Sequence, residues 1–380
     1  MTTVDYLVVG SGLTGSTIAR LLADDRRELL MLERRAHPGG NVHDFTHASG
    51  IRVHTYGPHY FRCSDREIWE FVNRFSSFYP HEPIVKLLVD NHYENWPLNR
   101  RLLGQNRDRR YSRHPGVPKN FEEACLQRMP RRVYEKYVEG YTRKQWGMDP
   151  RLLNAKLADR IRINDDHQTT LTPLSLHQGL PTLGYTALMA NMIAGIPCRF
   201  GVDYLKHRSE YRARKALIFT GSIDEFFGFE AGRLSYRGQQ RRHQFLPHLD
   251  WYQPCVQVNH PDDREKAIRT LEWKHLMPLA QRPWGEGTVI TKEYPFTPDQ
   301  TDNFEYPVPI AANARLHLHY RLCAETVRNL IVCGRLGTYS YLDMDKAIGC
   351  AMQVAARLCE RRPSETRRSY VPAGQRVRTQ

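Results

Sequence analysis

At 380 residues the chain is too long for one simple core and points to two or three domains. Its content of 41% hydrophobic and 25% charged residues is that of a globular protein, and no apolar run is long enough to span a bilayer. The formal net charge of +14 raises nucleic acid as a partner, yet the excess gathers in two places, Arg100 to His114 and the tail from Arg361, and an anionic small ligand accounts for it as well, so no nucleic acid is expected. The N-terminus has an acid before its short apolar run and glycines after it, and does not read as a signal peptide. Eight cysteines without a CxxC pair fit reduced thiols in a cytoplasmic protein and offer no zinc site.

The opening DYLVVGSGLTGSTIARLLADDRRELLMLERR reads as strand, glycine turn, helix, strand. Asp5 to Val9 make a buried strand, Leu13 to Leu22 carry helical spacing, and Glu28 to Leu32 make a second strand that ends at Glu33. Gly10, Gly12 and Gly15 form GxGxxG: the first permits the tight turn, the second lets the backbone approach a pyrophosphate, and the third lets the helix pack closely on the strand. The helix N-terminus adds partial positive charge there. Glu33 is placed to accept from both ribose hydroxyls of an adenosine. Beyond it, Arg34 and Arg35 lead into a second glycine turn, Gly39, Gly40 and Asn41. A chain that passes the cofactor's pyrophosphate twice fits FAD better than a nicotinamide dehydrogenase, so Arg34, Gly39, Gly40 and Asn41 join the candidate cofactor contacts.

From Arg66 the segments DREIWEFVNRF and NFEEACLQRMPRRVYEKYVEGY have apolar residues at helical spacing, and a helical insert is expected over 66–160. A mobile or linking segment follows over 161–179. The runs Gly195 to Leu205 and Lys215 to Phe227 return to strand and turn, so residues 1–65, 180–230 and 318–362 are read as one discontinuous FAD-binding domain. EAGRLSYRGQQRRHQFL, PCVQVNHP and GTVITKEYPF alternate as an antiparallel sheet would, giving a second sheet domain over 231–317. Last come a strand, a glycine turn and an amphipathic helix starting near Asp343, with Asp343 as its N-cap or a ribityl contact and a disordered basic tail over 363–380. The fold class expected is α/β: a Rossmann-type FAD-binding domain with a helical insert and an antiparallel-sheet domain.

The stretch GYTRKQWG, Gly140 to Gly147, interleaves Tyr141 and Trp146 with Arg143 and Lys144. It suits an ordinary half-buried helix end or a platform that stacks a flat ligand and holds its phosphates. Together with VVGSGLTG, ERRAHPGGN, VHTYGPHYF, GLPTLGYTAL, FTGSIDEFF and GRLGTYSYLDMDKAI, in this order, it resembles the UDP-galactopyranose mutase family over nearly the whole chain. The resemblance implies a flavoenzyme, active when its FAD is reduced, that converts UDP-galactopyranose to UDP-galactofuranose through a flavin N5–sugar adduct. UDP-N-acetylgalactosamine or dTDP-fucose is the alternative substrate, and a flavin oxidoreductase the alternative of another class. The implied partners are the nucleotide sugar and an electron donor such as NAD(P)H, and a homo-oligomer is compatible with the sequence.

The family's roles fall on this sequence as follows. Tyr141 matches the tyrosine that stacks on uracil, with Tyr137 one turn earlier as its companion, and Trp146 the tryptophan beside the sugar. Arg160 matches the mobile-loop arginine that closes over the diphosphate, with Arg162 two residues on as a rival for that register, and Arg269 the second diphosphate arginine. Asn259 matches a sugar contact, and Tyr306 and Tyr341 match phosphate-binding tyrosines. Arg335, Asp343 and Met344 match flavin contacts and His59 the histidine near the isoalloxazine; Arg160, Arg269 and His59 are the catalytic candidates. The chain departs from the family around the substrate: Arg62 and Cys63 stand where relatives commonly carry histidine and threonine, and the loop after Arg160 lacks the substrate-binding tyrosine and carries Arg162 and Asn164.

Overall fold

A computed structural model describes residues 1–106, 116–165, 171, 177–283 and 287–360. The basic tail and parts of the runs Arg100 to His114 and 161–179 therefore lie outside the described residues.

Five parallel strands form the nucleotide-binding sheet in the spatial order Cys198–Phe200, Leu29–Glu33, Thr2–Val9, Tyr211–Phe219, Leu330–Val332. All five residues of Leu29–Glu33 are buried, as expected of an inner parallel strand covered on both faces. One face is covered by the helices Leu13–Asp24 and Met344–Glu360, where Ile18, Ala19 and Leu22 meet Ala351, Val354 and Leu358. The other face packs under Tyr204, Tyr211, Phe219 and Phe226.

The second sheet has seven strands, ordered Tyr306–Pro307, Tyr236–Leu246, Thr288–Phe296, Arg269–Glu272, Gln257–Asn259, Val85–Val89, His92–Trp96. Every pair is antiparallel except Gln257–Asn259 with Val85–Val89. Its register sets Asn259 opposite Arg269, Arg269 opposite Glu293 and Glu293 opposite Arg241, a single polar row across four strands.

Two boundaries differ from the sequence reading. The stretch 66–160 is not wholly helical, because the hairpin Val85–Val89/His92–Trp96 lies inside it and extends the second sheet. Asp90 and Asn91 make its two-residue turn with φ of 50° and 63°, the left-handed pair that a tight hairpin needs. The helix Ala311–Thr326 spans the expected break between 317 and 318 without interruption. The described ends of 161–179 are held in sheets: Ile163–Asn164 pairs with Leu98–Asn99, and His177–Pro181 pairs with Phe61–Cys63 and Phe78–Tyr79.

Candidate active site

The nucleotide cradle is built by glycines at close approaches. Gly10 has φ of 101°, and a Cβ there would stand 2.1 Å from Thr220 Oγ1. A Cβ on Gly15 would be 1.9 Å from the Gly10 carbonyl oxygen, so only glycine lets the helix sit on the strand end. Gly12 is the opposite case: a Cβ there meets nothing within 4 Å, and the helix it begins has no side-chain cap. That first turn thus has amides without a side-chain cap and open space beside Gly12, as a pyrophosphate site requires. The second glycine turn closes on the first, with the Gly39 amide bonded to the Ser11 carbonyl at 3.0 Å and Gly12 bridged to Gly39.

At the strand end Glu33 accepts from the Ser11 amide and hydroxyl at 2.7 and 2.9 Å and from the Arg35 amide at 2.9 Å. A carboxylate takes about four hydrogen bonds, so capacity for a ribose hydroxyl remains. Glu33 and Arg34 line a small surface cleft with Val9, Gly10, Asp203 and Phe219. The Arg34 guanidinium is already engaged by Glu225, Thr301 and Asp302, and Asn41 accepts from Arg35 at 2.9 Å.

The polar row of the second sheet gives the rest of the site its charge. Arg241 holds Glu305 through two bonds of 2.8 Å and one oxygen of Glu293 at 3.0 Å, while Arg269 Nε takes the other oxygen of Glu293 at 2.5 Å. Burial pushes the Glu293 carboxyl up, but the charges of Arg269 and Arg241 outweigh it and hold the group below 4.5. Above the row, Tyr141 lies within electrostatic reach of Arg269, Glu293, Tyr341 and Arg160, and Tyr306 within reach of Arg269 and Tyr341. Tyr306 and Tyr341 are parallel with ring centres 6.0 Å apart. The guanidinium of Arg160 lies 3.6 Å over the Tyr341 ring and that of Arg335 4.9 Å from it. Burial pushes the Tyr306 hydroxyl up to about 12, so it stays a hydrogen-bond donor at neutral pH.

Most of the expected residues therefore converge: Tyr141, Arg160, Arg269, Tyr306, Arg335 and Tyr341 lie near one another, and Asn259 flanks Arg269 on the next strand. His59 adjoins it, its Nδ1 buried without a hydrogen bond and its pKa driven well below 6.5 by burial, by His54 and by the charges of Arg335 and Arg241. Asp343 precedes the helix Met344–Glu360 and bonds Arg62 at 3.5 Å; Met344 packs on the core below. Arg162 faces the same pair, Arg62 and Asp343.

Two of the expected aromatics are largely buried in a core against which Tyr306 packs. Tyr137 is 4% exposed and packs with Tyr134, Val138 and Phe121 in the core of the helical segment. It belongs to a π-helical turn, Glu135–Glu139, that precedes the helix Gly140–Trp146, so α-helical spacing does not carry over from Tyr137 to Tyr141. Trp146 is 9% exposed in the same core. Sequence reasoning missed Arg241, Glu293 and Glu305; the only signal was a run of charge in a strand, RGQQRRHQ, too polar on both faces for a plain surface strand.

The fold and cradle define a dinucleotide-binding Rossmann protein, and residues 8–75 match the NAD(P)-binding Rossmann-like domain. More specifically, the chain belongs to the UDP-galactopyranose mutase family, whose model matches residues 136–341. A dTDP-fucopyranose mutase of Escherichia coli is 30% identical over 92% of this chain and 97% of that protein. A probable UDP-galactopyranose mutase of Klebsiella pneumoniae is 30% identical over 93% of this chain and 94% of its own length. The crystal structure of a reduced UDP-galactopyranose mutase shares the fold with a TM-score of 0.72 at 13% identity, over 93% of this chain and 95% of that one. Among the described residues no helix is long and apolar enough to cross a membrane.

Proposed function

We propose that the protein is an FAD-dependent mutase that interconverts the pyranose and furanose forms of a nucleotide sugar. The observation that carries this reading is the convergence of Arg160, Arg269, Tyr141, Tyr306 and Tyr341: two guanidinium forks, two phenol donors and a flat ring suit a nucleoside diphosphate. Reduced FAD, when bound, supplies the electron pair for the anomeric carbon, with NAD(P)H as the electron donor for its reduction. Gly10, Gly12, Gly15, Glu33, Gly39 and Gly40 would hold its pyrophosphate and ribose. Arg160 and Arg269 then stabilise the departing diphosphate, Tyr306 and Tyr341 donate to its oxygens, and Tyr141 stacks the base. His59, kept neutral, can lie against the flavin ring without adding charge there.

For the cofactor, Gly12→Val is the discriminating substitution. Its φ of −70° suits any residue and its Cβ has room, so the fold should survive while the pyrophosphate is displaced. Wild type should purify yellow with noncovalent FAD, and Gly12→Val colourless with an unchanged circular dichroism spectrum. Colourless wild type that stays so after incubation with FAD would overturn the assignment.

For the substrate we place dTDP-fucopyranose first and UDP-galactopyranose second. Support comes from the E. coli relative, which matches as well as the Klebsiella one, and from Arg62 and Arg162, which change the charge beside the cleft. Dithionite-reduced protein incubated with dTDP-fucose, UDP-galactose and UDP-N-acetylgalactosamine should yield a furanose product, with dTDP-fucose favoured by about tenfold in kcat/KM. Consumption of NAD(P)H or oxygen in step with product would instead establish an oxidoreductase.

A further inference from the structure

The GYTRKQWG stretch contains a side chain that the nucleotide-sugar reading leaves unused. Lys144 does not face a phosphate: its Nζ donates to the carbonyl oxygens of His260 and Asp262 at 2.6 Å each and of Glu265 at 2.8 Å, with that of Ala267 at 3.4 Å. Three ammonium protons meet three close carbonyls, so the donor capacity of the side chain is fully used. The ring of carbonyls belongs to the loop that joins the strands Gln257–Asn259 and Arg269–Glu272, and so lies between Asn259 and Arg269.

A second feature of the same helix points to the same contact. Gly140 is one turn before Lys144, and a Cβ there would stand 2.1 Å from the Pro261 carbonyl oxygen. Helix and loop are therefore pressed together at two successive turns, one by an absent side chain and one by a fully used one. The far end of the helix is gripped from the other side. Buried Arg237 donates to the Gln145 carbonyl at 2.8 Å and the Lys144 carbonyl at 3.2 Å, and in the sheet Arg237 is paired with Tyr306. Tyr141 lies between Gly140 and Lys144, the two points at which the helix meets the loop.

We propose that Lys144 is a positioning residue: its ammonium serves as a fixed cation at the centre of the His260–Ala267 loop and sets the spacing between Tyr141 and Arg269 across the substrate cleft. The proposal rests on the reading of that cleft as the nucleotide-diphosphate site. Because Lys144 lies one turn from Tyr141, whose stacking on the base is the same in ground and transition states, a slack clamp weakens binding more than it slows the chemistry.

The test is Lys144→Ala, with binding of UDP and dTDP followed by calorimetry, turnover by product separation, and flavin content by absorbance. Nucleotide affinity should fall and KM rise by about tenfold, the scale of one lost hydrogen bond to a charged group, with flavin content retained and kcat changed less than KM. The vacated ring should accept a small cation, so ammonium or ethylammonium chloride should restore affinity saturably where choline chloride at equal ionic strength does not. Wild-type affinity in Lys144→Ala, or a loss that neither ammonium nor ethylammonium touches, would overturn the clamp. Gly140→Ala drives helix and loop apart with Lys144 intact and should reproduce the KM-weighted loss; an unchanged KM there counts equally against it. In the native protein, where no variant need fold, nucleotide should slow hydrogen exchange of 140–147 and 260–267 together, and protection of one segment alone would sink the idea. Wild type that binds neither nucleotide refutes the reading of the cleft instead; wild type that binds but does not isomerise refutes the mutase and leaves the clamp measurable.

Discussion

Glu293→Ala should destabilise the protein by about 3–5 kcal/mol, the cost of removing one member of a buried ion pair and stranding its partner. The Glu293 side chain is fully buried, and each of its oxygens takes a different arginine. Without it Arg241 still has Glu305, but Arg269, 14% exposed, loses its carboxylate and the contact that aims it. Activity should therefore fall further than stability alone explains. Glu293→Gln keeps the shape and one acceptor and should be milder. Because the native carboxyl is held below 4.5, its contribution is complete above that pH and is lost as the pH falls through the native value. Urea midpoints followed from about pH 6 down to about pH 3 should drop for wild type, and the drop should shrink in Glu293→Gln. An Ala variant within about 1 kcal/mol of wild type would show that the row is not a coupled unit.

What the sequence disclosed was local. Gly10, Gly12 and Gly15 between two apolar runs are read within one short window, and the strand, helix and acid around them appear as expected. The hairpin at Val85–Trp96 has a local signal only in its Asp90–Asn91 turn, since VKLLV is too apolar to alternate in sequence although its burial alternates in the sheet. Other features had no local signal. That Asn259, Arg269, Glu293 and Arg241 stand in one row depends on the register of four strands, which no single strand encodes. Arg34 follows the acid as a cofactor contact should, yet its guanidinium is committed to Glu225 and Asp302, far along the chain. Lys144, interleaved with the aromatics of GYTRKQWG, suits a phosphate ligand by sequence alone. Its actual partners are backbone carbonyls, which exist at every position and leave no mark in composition.

On the proposed function, the register of the loop after Trp146 decides which arginine meets the departing diphosphate, and the two candidates have different surroundings. Arg160 ends the short helix Ala155–Arg160 with its guanidinium stacked on Tyr341, in line with Tyr306 and the Arg269 row. Arg162 points to Asp343 and Arg62, where burial and the like charge of Arg62 both work against its own charge. Arg160→Ala should therefore lose about 10² to 10³ in rate, the effect of one donor withdrawn from a developing anion. Arg160→Lys should also lose much of the rate, since an ammonium lacks both the bidentate fork and the flat face that rests on Tyr341. Arg162→Ala should keep most of the turnover and shift the preference among nucleotide sugars. Single-turnover rates with reduced flavin and the best substrate of the panel would measure all three. Near-normal turnover in Arg160→Ala beside a collapsed Arg162→Ala would exchange their roles, and would move the diphosphate from the Tyr306–Tyr341 side of the cleft toward Arg62.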